Sequence, residues 1–522
     1  MQSVSESQPR VSAASQAATI PCFDPATQTK LGEVPVMERA EVLERLAKAR
    51  AAQEKWRQTS FAERRRVLDA LLRHVVEHCD ELCEVVARDA GKTRENALMG
   101  EIWPICEKLR YTMQKGEKAL RPRRVSSGLL VHKRAWVQYE PLGVVGVICP
   151  WNFPLQNVMG PTIPALFAGN AVLVKVSEWT SWSAARFQAI FDEVLSSLGH
   201  PKELVQILTG YGDTGAALVS SGVDLVIFTG SVPNGRKIIA QSAETLTPVI
   251  LELGGKDPMI VCDDADLEQA AHAALAGTMI ASGQMCLAAE RIFVMEEVYE
   301  AFVEKLQRMV AELRQGPPLG GGVVDVGSLT TPRQLEVIES LVRDAVAKGA
   351  RLLAGGKARQ DKGGCFFEPT LLEGVDEGMA IFHEATFGPV LSVIRVASED
   401  EAIRRANASS FGLGSSVFSR SRRRAESIAS RLQSGSSCIN DFGMAYMAQD
   451  LPFGGVKASG FGRLNGAEGL RACCNAKSVL SDRLPLHQAV KLYPTPDAAY
   501  ARTRRVIRWV YGKNPLAKLL RS

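Results

Sequence analysis

The 522-residue sequence lacks a long uninterrupted apolar run. Its most apolar stretch, Phe153 to Val176, is broken by Pro154, Gln156, Asn157, Pro161, Pro164, Asn170 and Lys175. A bilayer-spanning helix needs about 20 consecutive apolar residues, so this stretch reads as a buried segment, not a membrane span. The 11 cysteines are odd in number and recur at no short spacing, which excludes a disulfide framework. No basic-plus-apolar signal opens the chain: Met1 to Thr19 is polar, rich in Ser and Ala, and reads as disordered. Free thiols in a reducing, cytoplasmic setting are therefore expected. There is no short-period repeat. Nor is the body of the chain basic. The last 22 residues carry seven Lys/Arg and no acid, and they turn a body of net −2 into a chain of net +5. A nucleic-acid partner is not expected from that balance.

What is present is the pattern of a large α/β protein of two or three domains. Helical periodicity runs over Arg39–Arg57, Phe61–Asp89 and Asn96–Lys118. Leu129–Glu140 roughly alternates and reads as an outlying or bridging strand. From Gly143 onward, apolar runs "VVGVICP", "AVLVKV", "LVQIL", "VDLVIF" and "PVILEL" alternate with helical segments. That order implies a parallel, doubly wound sheet. The alternation restarts after Asp264, with helices near Leu267–Ala281, Val298–Gln315 and Thr331–Lys348, and implies a second such domain.

Several strand ends carry chemistry. "FTGSVPNGRK" (Phe228–Lys237) joins a strand to a helix through Gly230 and Gly235, but it lacks the Lys-Ser/Thr of a Walker loop and is not G-x-G-x-x-G. It remains either a tight βα turn or a helix N-terminus able to receive a pyrophosphate. In "VKVSE", Lys175 and Glu178 lie where a strand runs out. There they form a surface pair or hold a ribose diol; a carboxylate at that place repels a 2′-phosphate and favours NAD over NADP. "LELGGK" sets Glu252 at the end of an apolar strand, where lost solvation raises a carboxyl pKa and makes a base, unless a salt bridge holds it. Asn152 in "CPWNFP" is an oxyanion donor or a turn residue bonding its own backbone. Cys286 in "ASGQMCLAAE" is a nucleophile or a small core side chain. His74, His78, Cys79 and Cys83 share helical spacing and read as a helix face; no metal site is expected.

Taken in order, "PWNFP", "KVSE", "FTGS", "LELGGK", "GQMC", "TFGPV" (Thr386–Val390) and "LPFGGVKASGFGR" (Leu451–Arg463) resemble the NAD(P)-dependent aldehyde dehydrogenase superfamily over about residues 22–482. The resemblance implies two doubly wound parallel-sheet domains with a small β bridging element. It implies a disordered stretch at 1–19, a NAD-binding domain at 20–121 and 142–253, a catalytic domain at 254–450, a bridging or oligomerisation element at 122–141 and 466–481, and a basic extension at 482–522. It further implies Cys286 as nucleophile, Asn152 with the Cys286 N–H as oxyanion donors, and Glu252 as the base that activates water on the thioester. Trp151, Lys175, Glu178, Gly230, Ser231, Gly254 and Phe387 become cofactor contacts, with NAD preferred to NADP. Asn157, Gly160, Met285 and Leu287 become walls of an aldehyde tunnel that has no large aromatic at Asn157 or Gly160. A homodimer or homotetramer is expected.

The sequence also departs from the family pattern. Ala385 stands where relatives carry a ribose-holding Glu, and Glu384 one place earlier points the opposite way on an extended segment; looser cofactor binding is expected. Leu464 follows "GFGR", where some relatives have an acid. In the tail, Thr495 as N-cap, Pro496, Asp497 and Gly512 punctuate a helix with Val506, Ile507, Val510 and Tyr511 on one half and Arg502, Arg504, Arg505 and Arg508 on the other, Trp509 among them. It lies on an anionic membrane surface or docks on protein. Two other functions compete: CoA-acylating dehydrogenase, against which the retained Glu252 argues, and a non-enzymatic cofactor-binding or membrane-surface protein.

Overall fold

The computed structural model of the chain describes residues 18–484 and 493–512. The stretch expected to be disordered at the N-terminus lies, up to residue 17, outside the described residues; Thr19 already belongs to a strand, Thr19–Phe23, antiparallel to Lys30–Pro35. The chain divides into two compact units, Met1–Arg121 with Gln138–Lys477, and Pro122–Val137 with Ser478–Ser522.

The large unit is built on two sheets. The first has the order Gly460–Phe461, Val249–Glu252, Leu225–Thr229, Val144–Ile148, Ala171–Lys175, Val205–Leu208. All but Gly460–Phe461 run parallel. Val144–Ile148 and Ala171–Lys175 are buried at every position, which is why they read as continuous apolar runs and not as alternation. Val144–Ile148 comes first in sequence and sits in the middle. The chain then moves outward on one side through Ala171–Lys175 and Val205–Leu208, and afterwards on the other through Leu225–Thr229 and Val249–Glu252. That reversal is a topological switch point, and the loops leaving the carboxyl ends of Val144–Ile148 and Leu225–Thr229 open the crevice where such sheets bind ligands.

The second sheet has the order Arg351–Ala354, Thr370–Glu373, Val390–Val396, Arg291–Met295, Pro258–Val261, Ser416–Phe418, Cys438–Ile439, parallel except for its first strand. Successive residues of a strand face opposite sides, and both sides are filled. Ile260, Phe293 and Ile394 enter one apolar cluster, while Met259, Val261, Ile292, Val294 and Val393 enter another.

Some elements differ from the periodicity. Phe61–Asp89 is two helices, Phe61–Glu77 and Cys79–Ala90, broken at His78, whose φ of −109° and ψ of 20° leave the helical region. The pattern after Asn96 is carried by Arg94–Ala97, a π-turn at Leu98–Ile102 and a helix at Trp103–Leu120. The π-turn sets Gly100 against Phe153, where a Cβ would stand 2.7 Å from the ring.

In the small unit, Arg123–Val125 pairs antiparallel with Lys133–Pro141, Arg123 opposite Val137. The strand expected from Leu129 starts at Lys133, with Leu129, Val131 and His132 in turns before it. The tail helix runs Ala499–Tyr511. Ala498, not Thr495, stands at its N-cap, and Gly512 ends it by donating to the Arg508 carbonyl at 2.9 Å.

Candidate active site

Five of the singled-out residues hang from one edge of the first sheet. Ile148 pairs with Lys175 on one side and with Phe228 on the other, and Thr229 pairs with Glu252. Asn152 leaves the end of Val144–Ile148, Gly230 and Ser231 leave the end of Leu225–Thr229, and Lys175 and Glu252 close their own strands. Parallel alignment brings these carboxyl ends to one level.

Cys286 arrives from the other sheet, ahead of Arg291–Met295. The turn before it is strained. Ala281 and Ser282 have φ of 52° and 55°, and Gly283 follows at 77°. Left-handed backbone at consecutive non-glycine residues costs of order 1–3 kcal/mol each and persists only where the surroundings hold it. They do so here. A Cβ on Gly283 would stand 2.1 Å from the Gly388 carbonyl oxygen, so this backbone lies directly on the "TFGPV" segment. Gln284, buried, accepts from the Thr330 N–H through Oε1 at 2.9 Å and donates through Nε2 to the Ala281 carbonyl at 3.0 Å. On the other side a Cβ on Gly255 would be 2.3 Å from the Cys286 carbonyl oxygen. The second glycine of "LELGGK" is what lets the end of the Glu252 strand touch the Cys286 backbone. Gly254 makes only ordinary contact, with Phe411.

Asn152 is buried, and its Nδ2 donates to the Gln284 carbonyl at 3.0 Å. Its Oδ1 accepts from Asn157 Nδ2 at 3.3 Å. Burial pushes the Glu252 carboxyl up to about 7, opposed by hydrogen bonding from Cys286 and Thr229. Its Oε1 has no hydrogen-bond partner among the described residues. The Cys286 thiol is raised well above its ordinary value, first by burial and then by the Glu252 charge and its hydrogen bond to Glu252. Burial thus disfavours the charged form of both groups, and the thiol and the carboxyl are hydrogen-bonded neighbours. Burial also pushes Asp257 up to about 8.

Asn152, Glu252 and Cys286 line one cavity of about 340 Å³, and Asn157, Gly160, Met285 and Leu287 line it with them. Most other walls are apolar, among them Met99, Trp103, Phe153, Phe442, Met444 and Phe453. Leu464 is also in the wall. Gln156 and Tyr446 lie in it too, joined by a short hydrogen bond from the Gln156 amide to the phenol oxygen.

The candidate cofactor residues are not in that cavity. Lys175, buried, lies 3.7 Å from the half-exposed Glu178, and burial lowers the Lys175 pKa more than Glu178 raises it. Gly230 donates its N–H to the Glu252 carbonyl at 3.1 Å, and Ser231 is the N-cap of the helix Val232–Ser242 without a side-chain cap bond. Pro233 has no N–H and Gly235 donates to the Ser231 carbonyl, so the Val232 and Asn234 N–H groups are those without an acceptor among the described residues, which fits a pyrophosphate. Trp151 and Phe387 meet edge to face at 5.6 Å.

Sequence reasoning missed the device that fixes the Phe387 segment. Lys256 Nζ, fully buried, bonds Glu290 at 2.6 Å and Thr386 Oγ1 at 2.9 Å. Glu290 in turn accepts from the Thr386 and Phe387 N–H groups at 2.8 and 3.0 Å. Both residues sit inside quoted motifs, at the ends of "LELGGK" and "ASGQMCLAAE". A charged residue flanking buried glycines or alanines was the available signal. Ala385 is half-buried and Glu384 is exposed.

The sequence model of the aldehyde dehydrogenase family matches residues 11–479. A putative aldehyde dehydrogenase-like protein of Schizosaccharomyces pombe is 40% identical over 505 residues, 95% of this chain and 96% of that protein. The 4,4'-diapolycopene aldehyde oxidase of Methylomonas sp is 37% identical over 500 residues, 95% of this chain and 92% of that protein. Among solved structures, a succinate-semialdehyde dehydrogenase from Burkholderia pseudomallei superposes with a TM-score of 0.84 at 36% identity, over 89% of this chain and 95% of that one.

Proposed function

The chain belongs to the aldehyde dehydrogenase family, and from that premise we propose that it oxidises a long or bulky apolar aldehyde to the acid, with NAD as hydride acceptor and water as acyl acceptor. One observation carries the reading: Cys286, Glu252 and Asn152 line the same largely apolar cavity. The Cys286 sulfur attacks the aldehyde carbon as its proton passes to the Glu252 carboxylate. The new oxyanion is held by Asn152 Nδ2 and the Cys286 N–H, worth of order 3–4 kcal/mol in such sites. The dinucleotide, when bound, supplies the two-electron acceptor that turns this adduct into a thioester. Glu252 releases the thiol's proton to solvent and, deprotonated again, takes a proton from water as the oxygen attacks the thioester carbon. The carbon–sulfur bond breaks, the acid leaves, and the departing Cys286 thiolate takes the proton back from Glu252.

Lys175 and Glu178 suit the adenosine ribose, and the Glu178 charge supports NAD over NADP. Gly230, Ser231 and the helix after them suit the pyrophosphate. Trp151, Gly254 and Phe387 suit the rest of the dinucleotide. Asn157, Gly160, Met285 and Leu287 form the tunnel. Residues 20–121 and 142–253 act as the NAD-binding domain and 254–450 as the catalytic domain. Residues 122–141 and 466–481 join copies in a homodimer or homotetramer. The relative from Methylomonas is named for a diapolycopene aldehyde, which supports a large apolar substrate. A cytoplasmic enzyme that touches a membrane surface through its basic tail fits this substrate.

The test is Cys286→Ser with NAD, an apolar aldehyde panel, and absorbance at the reduced-dinucleotide band. Dinucleotide reduction is expected to fall at least a thousandfold, with the fold kept. Undiminished reduction would overturn the cysteine mechanism.

A further inference from the structure

The tail helix Ala499–Tyr511 presents two chemistries on one cylinder. At about 100° per residue, Val506, Val510, Ile507, Tyr500 and Tyr511 fall within an arc of roughly 140°. Arg504, Arg508, Arg505 and Arg502 occupy the remainder, with Trp509 between the last two. Val510, at the middle of the apolar arc, is covered, at 6% exposure; its flanks Val506 and Ile507 are half exposed, and Trp509 is 54% exposed. All four arginines are exposed, and none forms an ion pair among the described residues. Arg504 lies over the Tyr500 ring at 5.5 Å. Three more cations, Lys513, Lys518 and Arg521, follow in sequence, and no acid occurs after Asp497.

A second feature, in the large unit, points to the same kind of partner. Met99, Trp103 and Met444 line the cavity and are themselves 49%, 42% and 42% exposed. Leu98, beside Met99 on the π-turn, is equally exposed. The aldehyde cavity therefore has exposed apolar groups at its boundary, which suits a substrate that arrives from an apolar phase.

We propose that the chain takes its aldehyde from an anionic lipid surface, with the tail helix lying in the headgroup layer as its anchor. The charge argument selects this partner. Four exposed arginines, with no ion pair among the described residues and no acid after Asp497 in sequence, are attracted to anionic headgroups, whereas two copies of the same helix would bring like charges together. Trp509 and the two tyrosines have the amphipathic rings that settle at headgroup depth. Among the described residues no helix is long and apolar enough to cross a membrane, so the contact is interfacial. The proposal rests on the reading that the cavity holds an apolar aldehyde.

The experiment uses the full-length enzyme and two variants, R502E/R504E/R508E and V506S/I507S. Flotation with vesicles of phosphatidylcholine containing about 30% phosphatidylserine is compared with pure phosphatidylcholine, at low and high salt. Turnover is followed with a long-chain aldehyde dissolved in the vesicles and with a short water-soluble one. Binding to the anionic vesicles is expected, weakened by salt and by neutral lipid. The charge reversals are expected to weaken it about a hundredfold or more, at roughly fivefold per arginine. Both variants are expected to oxidise the soluble aldehyde at the wild-type rate and the vesicle-borne one at a tenth of it or less. Equal flotation of wild type and charge-reversed enzyme would overturn the proposal. So would an unchanged preference for the vesicle-borne aldehyde, or dissociation of an oligomer by the same substitutions without any lipid effect. Vesicle binding with no aldehyde oxidised would instead overturn the substrate reading and leave the surface contact standing.

Discussion

The side-chain amide of Asn157 donates to Oδ1 of Asn152 at 3.3 Å. The two lie five residues apart, one in the loop after Val144–Ile148 and the other in the first turns of the helix Pro154–Ala168. With Oδ1 occupied by an N–H, the Asn152 amide is turned so that its NH2 group faces Gln284 and the Cys286 loop. Asn157 thus does more than shape the tunnel.

Asn157→Leu keeps much of the volume and removes that donor. A neutral hydrogen bond contributes about 1 kcal/mol, so kcat is expected to fall about fivefold for short and long aldehydes alike, with KM nearly constant. Steady-state kinetics over a series of chain lengths checks this. A change confined to KM and graded with chain length would make Asn157 a wall and nothing more.

The Glu252 carboxyl, pushed up to about 7 by burial, sets a second expectation. A base works deprotonated. Acyl transfer to water is therefore expected to rise about tenfold per pH unit below 7 and to level off above it. Glu252→Gln is expected to flatten the profile and to let the acyl-enzyme accumulate, visible by intact mass. Stability runs the other way. A raised carboxyl binds its proton more tightly folded than unfolded, so its favourable contribution is present at low pH and is lost as pH rises from the ordinary carboxylate range through about 7. Glu252→Gln is accordingly expected to melt higher than wild type at pH 8 and with little difference at pH 4.5.

The parts of this site that sequence made legible are those fixed by local rules. A strand that ends in Glu252, or a turn "CPWNFP" after an apolar run, locates its residue at a sheet edge without knowledge of the neighbours. What depends on approach between distant segments was not legible. Gly254 and Gly255 look alike in sequence, yet only Gly255 lies against the Cys286 carbonyl. The break at His78 interrupts a helical pattern with no Gly or Pro to mark it. Thr495 has the chemistry of an N-cap, but the helix begins only at Ala499. Covering of Val510 is likewise a tertiary fact; periodicity assigns it to the apolar face and says nothing of what lies over that face.

The buried pair Lys256–Glu290 carries the last expectation. Both carboxylate oxygens are used: Oε2 by Lys256 and the Thr386 N–H, Oε1 by the Phe387 N–H. Glu290→Ala leaves a buried ammonium with only Thr386 Oγ1 to accept from it, and takes the acceptor from two backbone donors. Breaking one side of such a pair costs about 3–5 kcal/mol, and the loss is expected to appear as an earlier denaturant midpoint at unchanged slope. The same change releases the segment that holds Phe387 against Trp151, so the KM for the dinucleotide is expected to rise more than the KM for the aldehyde. The double variant Lys256→Met/Glu290→Leu separates the two effects. Replacing both charges by apolar groups of similar volume removes the unpaired charge, so much of the stability is expected to return. The backbone donors of Thr386 and Phe387 still lack their acceptor, so the dinucleotide KM stays high. Recovery of both together would show that Glu290 acts on the cofactor segment only through global stability.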